Sequence, residues 1–102
     1  MSLDFAILGE SGTPVATVPM NPLQHHVFMK IASDLSLSVA ERVFDYYEDA
    51  EFTPSELPEL IRQFDLVRAS EQAKDIIPLL NELDRLVRKA AQSQASIYVI
   101  AD

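Results

Sequence analysis

The chain of 102 residues contains no cysteine and only two glycines. Without cysteine, the protein cannot form disulfides, zinc–thiolate sites or a reactive thiol. Gly9 and Gly12 are too few for a phosphate-binding loop, and no lysine follows them. No apolar run approaches the length of a membrane span, and no base precedes the first apolar run, so we expect neither a membrane segment nor a signal peptide. These absences favour a cytoplasmic protein.

Basic residues are also scarce. Eight Lys and Arg stand against sixteen Asp and Glu, which gives a net charge of −8 and a pI near 4.5. Such a surface repels phosphates, so we do not expect a nucleic-acid partner. The length is that of a single domain covering residues 1–102, and a hydrophobic content of 48% predicts a folded globule.

Both ends of the chain carry strand patterns. Residues 3–18 predict a β-hairpin, because the first half alternates apolar and polar side chains and the second is β-branched. Pro14 and Pro19 bracket this second half, which is typical of an edge strand. The apolar run Ile97–Ile100 predicts a buried strand, and the hairpin is the only partner available for it.

Between the strands, capping signals predict three or four helices. Each start combines a capping side chain with a nearby Pro, Gln or Glu; the predicted caps are Asn21, Ser38, Thr53 and Asp75. Phe52 and Leu57 flank the third cap at the positions of a hydrophobic staple. The predicted inward stripes are Leu23, Val27, Ile31 and Leu35; Val39, Val43, Tyr46 and Ala50; Leu57, Leu60, Ile61, Phe64 and Val67; and Ile76, Leu79, Leu80, Leu83, Leu86, Val87 and Ala90.

Together these elements predict an α+β fold. An N-terminal β-hairpin, three or four helices and a C-terminal strand would complete a small antiparallel sheet, with the helices on one face. The apolar run at residues 97–100 would otherwise be exposed to water.

The charge of the chain is concentrated in residues 41–59, which we call the acidic segment. Seven acids and one base, Arg42, give this segment a net charge of −6, out of −8 for the whole chain. If residues 38–50 form a helix, the acids lie opposite its apolar stripe, with aromatic side chains on the flanks. A basic protein partner would relieve the repulsion between these acids. The predicted partner-binding residues are Phe44, Asp45, Tyr47, Glu48, Asp49 and Glu51.

The polar residues also allow other interpretations. The acidic face could equally be a solvated surface, since counted charge does not separate the two possibilities. His25 and His26 point about 100° apart on a helix, so they do not form a metal pair, and we interpret them as ordinary helix residues. The acids lack the alternation and central glycine of a calcium loop, and no serine lies in a nucleophile motif. We therefore predict no catalytic residues, no metal, no cofactor and no enzyme.

Three segments resemble small bacterial immunity proteins, which accompany polymorphic toxins. They are the opening MSLDFAIL of residues 1–8, the DYYEDAEF of residues 45–52 and the closing IYVIAD of residues 97–102. The resemblance is one of type and runs loosely along the whole chain. It implies tight binding of a cognate, basic toxin domain inside the producing cell. Two alternatives stay open: a general adaptor or regulatory protein-interaction domain, and a small-ligand-binding domain or unrecognised enzyme. The oligomeric state is left open.

Overall fold

The computed structural model describes residues 2–43 and 48–101. Four strands and three α-helices follow one another in the order β1 (Leu3–Leu8), β2 (Pro14–Met20), α1 (Pro22–Asp34), β3 (Ala50–Phe52), α2 (Leu57–Arg68), α3 (Ile77–Gln92) and β4 (Ile97–Ala101). Short 3₁₀ helices span Ala40–Val43, Pro54–Glu56 and Glu71–Ile76.

The strands form one antiparallel sheet in the order β2-β1-β4-β3. The N-terminal hairpin is present, β2 lies at an edge, and β4 pairs with β1 as the apolar run predicted. In the centre of the sheet, Phe5 of β1 lies between Val18 of β2 and Val99 of β4. The predicted α+β fold class is therefore confirmed.

One face of the sheet carries the hydrophobic core. Phe5, Val99 and Phe52 are almost fully buried on that face. Helix α3 packs against β1 and β2, helix α2 packs on α3, and α1 contacts the 3₁₀ helix that precedes α3. Phe28 of α1 and Phe64 of α2 meet edge to face, with ring centroids 5.8 Å apart. Such pairs stabilise beyond their buried area, so this contact ties α1 to α2.

Two of the four predicted caps, Asn21 and Thr53, are confirmed. Ser38 does not cap an α-helix, because the nearest helix is the 3₁₀ helix Ala40–Val43. Asn21 Oδ1 accepts from Gln24 N at 2.8 Å, and Gln24 Oε1 accepts from Asn21 N at 2.9 Å. At the third start, Glu56 Oε1 accepts from Thr53 N at 2.9 Å, and Thr53 precedes the 3₁₀ helix Pro54–Glu56, which continues into α2. The predicted cap at Asp75 is wrong. Helix α3 begins at Ile77 with Pro78 in its first turn, where a missing amide hydrogen costs little.

The predicted stripe of α3 is confirmed, whereas that of α1 is partly wrong. Every predicted inward residue from Ile76 to Ala90 is buried. In α1, however, Leu23 and Leu35 are 72% and 47% exposed, while Phe28 is fully buried. The packing of Phe28 against α2 sets which side of α1 faces the core, and the four-residue repeat of apolar residues could not indicate that contact.

The predicted second helix is wrong in the described residues. The 3₁₀ helix Ala40–Val43 stands where the helix was expected to begin, and residues Ala50–Phe52 form strand β3 where it was expected to end. Ala50, predicted inward on a helix, lies half-buried in this strand instead. The reason is long-range: β4 presents a second edge, and β3 satisfies its backbone groups by pairing Phe52 with Ile97.

Candidate functional site

Three of the six predicted partner-binding residues lie at a sheet edge and its approach, not on a helix. Glu48 and Asp49 precede β3 and Glu51 lies within it, and all three are exposed. We call these three residues the acidic edge. The other predicted residues, Phe44, Asp45 and Tyr47, lie outside the described residues.

Asp49 is an exposed residue that also makes a structural hydrogen bond. Its Oδ1 accepts a hydrogen bond from Ala101 N at 2.8 Å, so it holds the end of β4. Asp49 is nevertheless exposed at the surface. The acidic edge is thus anchored to the centre of the sheet through β4.

Arg42, the single base of the acidic segment, is engaged by groups next to the acidic edge. Its Nη2 lies 2.5 Å from Glu56 Oε2, and its Nη1 donates to Glu51 O at 3.2 Å. Its guanidinium also lies over the ring of Phe52, 5.1 Å from the centroid. Arginine suits this position because its planar group can stack and donate at the same time. Arg42 therefore ties the 3₁₀ helix Ala40–Val43 to β3 and to the start of α2.

The pKa shifts show which acids are already compensated within the protein. Hydrogen bonding by Arg42, followed by the Thr53 amide, lowers the pKa of Glu56 to about 2. Hydrogen bonding by Arg62, followed by Gln63, lowers the pKa of Glu59 to about 2. Over residues 2–43 and 48–101, no Lys or Arg side chain forms an ion pair with the acidic edge. Within the acidic segment, Glu56 and Glu59 at the start of α2 are therefore paired with bases, whereas the three acids of the acidic edge are not.

Gln63 is a structural residue that the sequence did not reveal. It is 3% exposed on α2, its Oε1 accepts from Ala40 N at 2.8 Å, and its Nε2 donates to Glu59 Oε2 at 2.8 Å. A glutamine that follows Arg62 on a helix carries no signal of burial. Its amide fixes the 3₁₀ helix Ala40–Val43 against α2, and so fixes the chain that leads towards the acidic edge.

His25 also connects separate elements. The ring is half-buried on α1, and its Nε2 lies 2.7 Å from Val43 O, at the end of the 3₁₀ helix. His26 is exposed. Among the residues that the structure describes, no group of three His, Asp or Glu side chains could hold a metal ion.

The sheet face opposite the core, which we call the outer face, is a second feature that sequence reasoning missed. The side chains that alternate away from the core are Asp4, Ala6, Leu8, Thr17, Pro19, Glu51, Tyr98 and Ile100. Leu8, Tyr98 and Ile100 are each only half-buried. The alternation in β1 was visible in the sequence, but which residues of β4 lie beside those of β1 depends on register.

Comparison of the chain with protein-family models, with curated proteins and with solved structures finds no match. Of the helices in the described residues, none has the length and apolar character needed to cross a membrane.

Proposed function

We propose that this protein is a binding module for a basic protein partner, and that it acts as an immunity-type inhibitor of a cognate toxin domain. The observation that carries the proposal is the acidic edge, where Glu48, Asp49 and Glu51 are exposed together and lack a cationic partner in the described chain. The one base in the acidic segment is bound to Glu56 and the backbone of Glu51.

Folding benefits little from two of these three charges. Neither the Glu48 nor the Glu51 carboxylate takes part in a hydrogen bond or ion pair within the described residues. Neighbouring like charges repel, so the cluster opposes folding slightly unless a cation approaches it. Charges of this kind mainly accelerate encounter with an oppositely charged protein. Phe44 and Tyr47 stay the predicted aromatic anchors that would slow dissociation.

The immunity role rests on two supports: the resemblance of the three quoted segments to immunity proteins, and the acidic charge, which suits a basic toxin domain. A general adaptor would use the same acidic edge, so the identity of the partner separates the two functions. A toxin gene immediately upstream of the gene for this chain favours inhibition.

The test begins with affinity capture of the partner from the producing bacterium, followed by its identification and purification. We expect a basic protein whose expression arrests growth, and we expect co-expression of this chain to restore growth. A partner without toxicity would contradict the immunity role and favour the adaptor.

The binding surface is then tested by stopped-flow association over a salt series. The double variant Glu48→Lys with Glu51→Lys is expected to slow association about tenfold or more at low salt, and to flatten the salt dependence. The matched control is Glu71→Lys with Asp75→Lys, which changes the net charge equally at exposed positions outside the sheet. Equal rates for the two double variants would show that only net charge matters and would refute the acidic edge as the contact.

A further inference from the structure

The outer face combines apolar side chains with charge of one sign. Across it, Tyr98 lies between Ala6 of β1 and Glu51 of β3, and Ile100 lies beside Asp4. Cross-strand neighbours of this kind lie close enough for their side chains to touch. On the outer face, Tyr98 and Ile100 thus each have an acid as a direct neighbour.

The strands that form this surface carry no base, and two bases of α3, Arg85 and Lys89, lie beside Thr17 and Pro19 at the β2 edge. The four strands contain no Lys, Arg or His, and their only charged residues are Asp4 and Glu51, both on the outer face. Asp49 holds the end of β4 and extends the negative charge past Ile100. The face is therefore an apolar centre with acids on two sides.

We propose that the outer face is the apolar centre of the partner interface, and that its occupant is a basic protein segment whose apolar side chains alternate with Lys or Arg. This inference rests on the proposed function and names the part of the surface that supplies affinity. Tyr98 and Ile100 contact the apolar side chains of the partner, and Asp4 and Glu51 pair with the bases beside them. Binding energy concentrates in such central, desolvated contacts, whereas charges at the rim mostly set the association rate.

Charge argues against a second copy of this chain as the occupant. In a two-fold dimer the same patch faces itself, so the acids of one copy would approach those of the other. Like charges juxtaposed across an interface cost several kcal/mol. A basic segment has the opposite effect, because each acid gains a partner.

The edges of the sheet are less suitable for docking than its face. Pro14 and Pro19 remove amide hydrogens from β2, which is a common way to protect an edge strand. At the other edge, Arg42 already occupies Glu51 O. An added strand would lack the amide hydrogens of Pro14 and Pro19 at one edge and would compete with Arg42 for Glu51 O at the other, so recognition through side chains of the outer face is favoured.

The size of the face fixes how much of the interface it can supply. Four strands and about five residues per strand cover roughly 14 by 16 Å, or on the order of 200 Å². A stable interface buries about 800 Å² on each partner. The outer face is therefore the centre of a larger contact that continues onto the acidic edge, which borders it through β3.

The test uses three short synthetic peptides as probes: one alternating Lys with Leu, one alternating Lys with Gly, and one alternating Glu with Leu. Binding is followed at low salt by the amide chemical shifts of the isotope-labelled protein. We expect the Lys–Leu peptide to shift the amide resonances of Tyr98, Ile100 and Ala6. The Lys–Gly peptide is expected to shift only the resonances of the acidic edge. The Glu–Leu peptide is expected not to bind.

The decisive variant is Tyr98→Thr with Ile100→Thr, because threonine preserves strand propensity while it removes the apolar surface. This double variant is expected to weaken the binding of the Lys–Leu peptide at least about tenfold and to leave the affinity for the Lys–Gly peptide unchanged. The matched control is Leu66→Gln, which removes an apolar side chain that is 40% exposed on α2. Melting temperatures and amide spectra verify that each variant folds.

The outcomes separate this inference from the proposed function. Two results would overturn the role of the outer face and leave that of the acidic edge intact. One is that the Lys–Leu peptide shifts only amide resonances of the acidic edge. The other is that the decisive variant and the control weaken binding of this peptide equally. Absence of any shift with both Lys peptides would overturn the two proposals together. Concentration-dependent dimerisation that the decisive variant abolishes would assign the face to a second copy instead.

Discussion

Replacing Gln63 with methionine tests how the chain leading towards the acidic edge is held. Methionine resembles glutamine in length and helix propensity, so Gln63→Met removes the side-chain amide with little change in packing. Two hydrogen bonds disappear: one from Ala40 N and one to Glu59 Oε2. Glu59 is half-buried and can turn to water or keep Arg62, whereas Ala40 is 1% exposed and its amide has no replacement.

The expected loss of stability in Gln63→Met comes mainly from the buried Ala40 amide. A buried donor left without an acceptor costs about 1–3 kcal/mol, and the buried methionine side chain offsets part of that loss. We expect a net loss of about 1–2 kcal/mol in the free energy of unfolding. For a domain of about this size, that corresponds to a fall in Tm of roughly 4–16 °C.

Urea denaturation and native-state hydrogen exchange measure the two consequences. The urea midpoint is expected to fall with an unchanged slope, and the Ala40 amide is expected to exchange faster than amides in the core of α2. The matched control, Gln92→Met at the exposed last residue of α3, should leave both quantities unchanged. Coincident midpoints for Gln63→Met and the parent, with Ala40 still protected, would refute the assignment of this hydrogen bond as a stabilising contact.

Two further predictions concern the start of α2. Thr53→Ala is expected to cost about 1 kcal/mol, the usual net value of one hydrogen bond, because it removes the bond that Thr53 Oγ1 donates to Glu56 Oε1 at 3.0 Å. A urea midpoint equal to that of the parent would contradict this. Arg42→Gln is expected to reduce the sensitivity of stability to acid. The pKa of Glu56 is lowered from 4.5 to about 2, so its contribution is present above pH 4.5 and is lost as the pH falls towards 2. Urea midpoints from pH 7 to pH 2.5 should fall less steeply in the variant than in the parent, and parallel curves would show that Arg42 does not hold that pKa down.

Local rules in the sequence predicted those elements whose causes are local. The capping pairs at Asn21 and Thr53 join residues three positions apart, so the motif alone specifies the contact. The apolar stripe of α3 could be predicted because its apolar residues recur at helical spacing over sixteen residues. The C-terminal strand was readable because an apolar run of that length is seldom left exposed.

The acidic segment shows where local rules fail. A helix and a short strand both fit residues 38–52, and three residues are too few for strand alternation to be recognised. At Ala50–Phe52 the structure has a strand, for a reason distant in the chain: Phe52 pairs with Ile97 and covers the second edge of β4. As a consequence, Glu51 lies beside Tyr98 on the sheet instead of on the flank of a helix.

By itself, then, the sequence determined the fold class, the pairing of the two ends of the chain and the concentration of negative charge in residues 41–59. These properties depend on composition, periodicity and neighbours within one helical turn. Tertiary structure alone decided the burial of Gln63, the engagement of Arg42 and the position of Tyr98 and Ile100 beside acids. Each of these depends on strand register or on contacts between distant elements, which the order of residues along the chain does not state.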